Sequence, residues 1–105
     1  MLIQINTDRN VEGDSALTQW VEAAVGDGLV RFSSHITRVE VHLSDENSDK
    51  KSGAKDKRCL LEARLAGLQP IAVSHNTATL EQAVDGAVDR LVRALDSTLG
   101  RLENH

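Results

Sequence analysis

Apolar and polar positions alternate with a period of two through the middle of the chain, between residues 36 and 76. Val39, Val41 and Leu43 alternate with Arg38, Glu40 and His42, and Cys59, Leu61, Ala63 and Leu65 alternate with Arg58, Glu62 and Arg64. A strand sends successive side chains to opposite faces, so each stretch predicts a strand with one buried and one solvated side. Gly67 interrupts the second stretch, and Pro70-Ile71-Ala72-Val73 begins a third extended segment. Strands that follow one another through such short connections predict an antiparallel meander.

The period changes on either side of the meander. Leu2-Ile3-Gln4-Ile5-Asn6 reads as a short apolar strand, and residues 7–14 are polar, with Gly13 and Asp14 as turn chemistry. Asp14 or Ser15 can cap a helix by accepting a hydrogen bond from an otherwise unpaired backbone N–H. Leu17, Trp20, Val21, Ala24 and, at its end, Leu29 follow helical spacing, which predicts a buried stripe with Trp20 as a core anchor. Gly26 and Gly28 should weaken the last turn, so that the helix frays or stops there. A strand, a helix and a strand joined by a connection of this length predict a βαβ unit with the first two strands as parallel neighbours. After Asn76, Thr77 or Thr79 caps a second, longer helix. Its apolar stripe is Leu80, Ala83, Val84, Ala87, Val88, Leu91, Leu95, Thr98 or Leu99, and Leu102. The predicted architecture is α+β, in the order β-α-β-β-β-α, with both helices on one face of a four-stranded mixed sheet.

Composition narrows the class. A chain of 105 residues is expected to form one domain over 1–105 with a single modest core. No apolar run approaches the ~20 residues of a membrane span, and the first residues lack the basic start and apolar middle of a signal peptide. One cysteine excludes an internal disulfide framework and suits a reducing cytoplasm. Twelve basic against sixteen acidic residues give a net charge of −4, which argues against bulk affinity for nucleic acid. Aromatic residues make up 2% of the chain, too few for platforms on which single-stranded bases could stack.

Few residues invite chemistry. The segment 45–56 places oxygen ligands at alternate positions in the manner of a calcium loop. Its sixth position is Lys50, where the turn needs glycine, and its twelfth is Asp56 rather than a bidentate glutamate. A solvated hairpin loop explains it better, with Lys50, Lys51, Lys55, Lys57 and Arg58 forming a locally basic half that could touch phosphate. On the last helix Glu81, Asp85 and Asp89 recur every four residues, while Arg90, Arg93 and Arg101 lie along a neighbouring face. A solvated helix surface is the ordinary explanation of such stripes, and phosphate contact by the arginines is the functional one. His35, His42, His75 and Cys59 fall in no zinc-binding spacing, and Cys59 shares the phase of the buried positions. No nucleophile elbow, phosphate-cradling glycine loop or carboxylate pair in an apolar setting is present. The expectation is a non-enzyme without metal, cofactor or small-molecule substrate. Glu40 and Glu62, beside Arg38 and Arg64, are adequately explained by cross-strand ion pairs.

Several local strings in this order resemble the ribosome hibernation-promoting factor family, also called ribosome-associated inhibitors or sigma-modulation proteins. They are Ile3-Gln4-Ile5; Ala16-Leu17 with Trp20-Val21-Glu22; and Ile36, Val39, Val41 and Leu43 leading to Asp45-Glu46-Asn47. Cys59 with Glu62-Ala63, Ala83-Val84-Asp85, and Asp89-Arg90-Leu91 with Arg93 and Leu95 complete the set. The resemblance spans nearly the whole chain and rests on joint order, since none of the strings is a catalytic signature. It implies the double-stranded-RNA-binding-like fold deduced above. It also implies a stress or stationary-phase translation regulator that binds ribosomal RNA of the small ribosomal subunit near the decoding region. Arg90 and Arg93 match basic positions that meet RNA backbone in such proteins. The chain departs from the pattern at Ala23, Ala24, Gly26 and Asp27, and again at Asp96, Ser97 and Thr98, where relatives carry basic side chains. By the same resemblance it corresponds to the short form, without the C-terminal dimerisation domain of the long form.

Two functions remain open on this reading. The first is a ribosome-associated RNA binder using Arg90, Arg93, Arg101 and the lysine loop. The alternative is a diverged protein-interaction module of the same fold that uses the open sheet face of Arg38, Glu40, His42, Glu62 and Arg64. A weak homodimer would suit the second.

Overall fold

The period-two stretches form the two central strands of a four-stranded sheet. The computed structural model describes residues 1–9, 11–46 and 56–103. In chain order the elements are β1 (Leu2–Thr7), α1 (Ser15–Leu29), a single 3-10 turn (Val30–Phe32), β2 (Ile36–Asp45), β3 (Lys57–Leu65), β4 (Ile71–Thr77) and α2 (Leu80–Glu103). The strands lie side by side in the order β1-β2-β3-β4. β1 runs parallel to β2, with Ile3 opposite Val39 and Ile5 opposite Val41. The β2–β3 and β3–β4 pairs are antiparallel, with Val41 opposite Leu61 and Leu61 opposite Val73. The β3–β4 connection turns at Gly67, whose φ of 74° lies in the left-handed region that a side chain disfavours. The expected β-α-β-β-β-α order and mixed sheet are therefore those of the molecule.

The alternation places Val39, Val41, Leu43, Cys59, Leu61, Ala63 and Leu65 on one face, where all are buried. Both helices cover that face. From α1 the buried residues are Val21, Val25 and Leu29; from α2 they are Ala83, Val84, Ala87, Leu91, Leu95 and Leu99. Each fully buried Val or Leu contributes about 1.5–3 kcal/mol relative to an exposed one. Asp14 caps α1, its Oδ1 accepting from the Leu17 N–H at 2.8 Å. Thr79 caps α2, its Oγ1 accepting from the Gln82 N–H at 3.2 Å. Each cap satisfies a backbone donor that the first helical turn leaves without a partner.

Two expectations about α1 are corrected. Trp20 is not a core anchor: it remains 37% exposed. The buried line is Val21, Val25 and Leu29 at four-residue spacing, with Leu17 and Ala24 at its edge, and Trp20 sits one residue off that line at the margin of the helix. Nor does α1 end at its glycines. It runs through Gly26 and Gly28 to Leu29, and of the two glycines only Gly28 has a neighbour too close for a side chain. A Cβ on Gly28 would lie 2.5 Å from Val88 Cγ1 of α2, and one on Gly26 would lie 3.5 Å from Ile3 Cδ1 of β1. Gly28 thus sets the spacing of the two helices. A third residue, Val11, lies in the polar connection before α1 and is buried all the same.

The close approach of Gly28 and Val88 has a measurable consequence. Alanine in a helix interior is ordinarily favoured over glycine by about 1 kcal/mol, but overpacking against a stiff β-branched side chain costs about 1–3 kcal/mol. Gly28→Ala should therefore lower the thermal midpoint instead of raising it. In a double-mutant cycle, Gly28→Ala should be less costly in a Val88→Ala background, as read by urea denaturation.

Candidate nucleic-acid interface

The pitch of α2 sorts its charged residues onto two flanks. Val88 faces α1 across Gly28, and Asp96 accepts an ion pair from Arg31 at 3.1 Å, so this side of α2 looks toward α1. Arg90 points the other way, its Nη1 donating to the Ser74 carbonyl of β4 at 3.1 Å. Three or four residues along a helix share a face. Arg93, Ser97 and Arg101 therefore continue from Arg90 along the β4 flank. Arg101 Nη1 donates to Ser97 Oγ at 3.1 Å. Arg93 reaches across the crest to pair with Asp89 at 3.0 Å, both side chains being well exposed. Such an exposed pair is worth only a few tenths of a kcal/mol and yields readily to a phosphate. The three expected arginines thus form one exposed line.

Among the described residues, the other two expected basic positions, Lys57 and Arg58, do not join it. Arg58 lies on the opposite face of the sheet, in register with Ser44 on one side and Asn76 on the other. Lys57 is turned to the helix side and is occupied. Its ammonium is 3.1 Å from Asp45 Oδ2 and 3.4 Å from Asp56 Oδ1. The hydrogen bond to Asp45 is the main reason its pKa is raised above the ordinary 10.5. Asp45 itself is only 8% exposed, so this lysine pins the base of the β2–β3 connection. Asn76 adds a second tie there, its Nδ2 donating to Glu46 Oε1 at 2.8 Å. Lys50, Lys51 and Lys55 lie outside the described residues, as does most of the segment considered as a calcium loop. Arg101 stands 21 residues beyond the start of α2, about 30 Å along its axis, so it and the base of the loop lie at opposite ends of the helix.

The open face of the sheet carries a network centred on Glu40. Its Oε2 is 2.6 Å from Arg38 Nη2 and 3.7 Å from Arg64 Nε, and its Oε1 is 3.6 Å from His42 Nε2. Arg64 also reaches Glu62 at 3.6 Å. Arg38 and Arg64 are direct cross-strand partners, and so are Glu40 and Glu62. Like charges placed opposite one another repel, and the diagonal Glu40–Arg64 pair with the two pairs along the strands offsets that repulsion. Of these ion pairs Arg64–Glu40 is the cross-strand one expected from sequence, whereas Arg38–Glu40 and Arg64–Glu62 lie within a strand, and together they leave this face largely self-neutralised.

A small cavity of about 210 Å³ opens at the other end of the helix layer, lined by Arg31, Phe32, His35, Asp96, Leu99 and Gly100. The Arg31 guanidinium lies over the Phe32 ring at 4.5 Å. Nothing in the sequence pointed to this group, because Arg31 and Asp96 are 65 positions apart. Among the described residues the histidines do not gather. Cys59 and His75 are opposite each other on the helix side, where the His75 ring lies against Gly86, while His42 projects from the open face. Among the described residues no cluster of three or more His, Cys, Asp or Glu could hold a metal ion, and no helix is long and apolar enough to cross a membrane.

The sheet and the helix pair that covers it have counterparts among known proteins. Residues 3–103 match the family described as sigma 54 modulation protein / S30EA ribosomal protein. The chain belongs to that family. Among solved structures it is similar to the N-terminal domain of Protein Y from Thermus thermophilus. The TM-score is 0.74 at 26% identity, over 93% of this chain and 99% of that one. It is also similar in fold to a ribosomal subunit interface protein from Coxiella burnetii. Here the TM-score is 0.71 at 17% identity, over 95% of this chain and 99% of that one. No individually curated protein matches it significantly. Membership in the S30EA family agrees with the strings quoted from the sequence and with the observed topology.

The half-buried Glu40 carboxylate and the buried thiol each give a measurable expectation. Glu40→Gln removes the charge that separates Arg38 from Arg64, and Glu40 is only 17% exposed. Urea denaturation should show a loss of about 1–2 kcal/mol. Burial pushes the Cys59 thiol up to about 12 from an ordinary 9.0. The folded chain therefore keeps its proton where the unfolded chain loses it, and stability linked to this group is full below pH 9 and falls between pH 9 and about 12. The slope is at most about 1.4 kcal/mol per pH unit. Cys59→Ala should remove that component from the pH–stability curve, and the native thiol should resist Ellman's reagent until the chain unfolds.

Proposed function

We propose that this protein is a ribosome-associated translation regulator of the cytoplasm that binds ribosomal RNA of the small subunit and holds ribosomes inactive in stress or stationary phase. The family match over residues 3–103 carries the proposal, and the likeness to the Protein Y domain supports it. The contact surface is the line Arg90, Arg93 and Arg101 on the β4 flank of α2, with Arg58 on the open face of the sheet and the lysines of the β2–β3 connection as further contributions. Exposed arginines spaced along a helix suit successive phosphates, which fork-shaped guanidinium groups meet with paired hydrogen bonds.

The net charge of −4 bears on affinity. Each phosphate contact releases condensed counterions, so a chain with few such contacts binds more weakly and loses affinity steeply as salt rises. No metal, cofactor or small-molecule substrate enters this function.

Co-sedimentation of the purified protein with ribosomes, at low and at physiological salt, tests the proposal. Binding to small subunits is expected at low salt. Arg90→Glu with Arg93→Glu should weaken it and reduce the slope of log affinity against log salt by about 1 for each phosphate no longer neutralised. Absence of binding at either salt by a protein shown folded by circular dichroism would overturn the proposal. The alternative would then be a protein-interaction module of the same fold.

A further inference from the structure

The acidic flank of α2 and the exposed Trp20 lie along the same seam. The two helices run in the same direction, since Gly28 meets Val88 and Arg31 meets Asp96 in ascending order. Trp20, Ala24 and Gly28 follow one another at four-residue spacing on the side of α1 that faces α2, with Asp27 alongside. Eight residues before Gly28, Trp20 lies about 12 Å back along the axis, toward the end where α2 begins. There Glu81 and Asp85 occupy the flank of α2 that adjoins Val88 and Val92. Asp89 and Asp96 extend the same flank. Trp20 is the largest exposed apolar side chain on the helix layer. Asp89 and Asp96 have arginine partners. Asp27, Glu81 and Asp85 have none among the described residues.

We infer that this seam is a docking surface for a lysine- and arginine-rich protein segment carrying an apolar residue, which packs on Trp20 while its basic side chains meet Glu81, Asp85 and Asp27. Charge complementarity favours that occupant. A phosphate backbone would be repelled along the whole flank, and an acidic peptide likewise. The exposed indole supplies what a charge match alone lacks, a large rigid apolar surface of the kind that dominates binding energy at the centre of protein interfaces. The seam is distinct from the arginine line on the far flank of the same helix, so a single α2 presents opposite charges to two different partners.

Trp20 is the only tryptophan, so its fluorescence reports on the seam directly. The probe is a short synthetic peptide of Lys, Arg and Gly with a central Leu, titrated at physiological salt. A saturable shift in Trp20 emission is expected. Glu81→Lys with Asp85→Lys should weaken binding about tenfold or more, and replacing the peptide's Leu by Gly should weaken it several-fold. Glu22→Lys makes the same kind of charge change on the side of α1 shared with Gly26, which faces β1, and should leave affinity within about twofold.

Absence of a saturable shift would overturn the inference. So would equal losses from Glu22→Lys and from the α2 reversals, which would mean attraction by net charge alone. A third contrary result is an RNA duplex that binds at Trp20 and displaces the peptide, which would assign the seam to nucleic acid. The arginine variants used for ribosome binding are not needed here, so either proposal can fail without the other.

Discussion

Burial of one face of β2 and β3 under two side-by-side helices is the constraint from which the other features descend. Val39, Val41, Leu43, Cys59, Leu61, Ala63 and Leu65 present a continuous apolar surface that one helix is too narrow to cover. Two helices must therefore lie close together, and Gly28 against Val88 is where they do so. That approach explains why a glycine sits inside α1 without ending it. Every polar group on the covered face must also be matched, which accounts for Lys57 between Asp45 and Asp56 at the rim of the core.

The same packing decides which charges can act. Once α2 is fixed by Leu91 and Leu95 against the sheet, its rotation is settled, and residues that alternate in sequence are sent to separate flanks. Glu81, Asp85, Asp89 and Asp96 line the seam with α1, whereas Arg90, Arg93 and Arg101 line the flank beside β4. A net charge of −4 therefore describes no part of the surface well. The electrostatic character that a partner meets is that of one flank, within a screening length of about 8–10 Å.

Arg90 also does something that its place in a basic stripe would not suggest. By donating to the Ser74 carbonyl it occupies an acceptor on the outermost strand of the sheet. Exposed edge strands invite unwanted pairing, and a charged side chain laid over the edge discourages it. Under the proposed function, an arginine already held in a defined orientation would lose less entropy on meeting a phosphate. On the open face, Glu40 acts in a comparable way for Arg38 and Arg64, holding two opposed cations in a nearly neutral surface.

Much of the architecture was legible in the chain because strand and helix periods are local properties. The alternation around Val39 and Leu61, the long stripe from Leu80 to Leu99, and the two helix starts, each narrowed to a pair of capping residues, depend on residues within a few positions of one another. The helical connection between the first two strands is long enough for a crossover, which is why β1 and β2 could be read as parallel neighbours. What the sequence by itself could not decide was anything requiring two distant segments to meet. Trp20 matched the helical period as well as Val21 did, and only the placement of α1 on the sheet turned it outward. The role of Gly28 depended on Val88, the cavity on Arg31 and Asp96, and the occupation of Lys57 on Asp45 twelve residues away. Which flank of α2 is acidic and which is basic could be read as two stripes, but what each stripe faces was settled by tertiary packing, because a helix carries no record of the direction from which its neighbours approach.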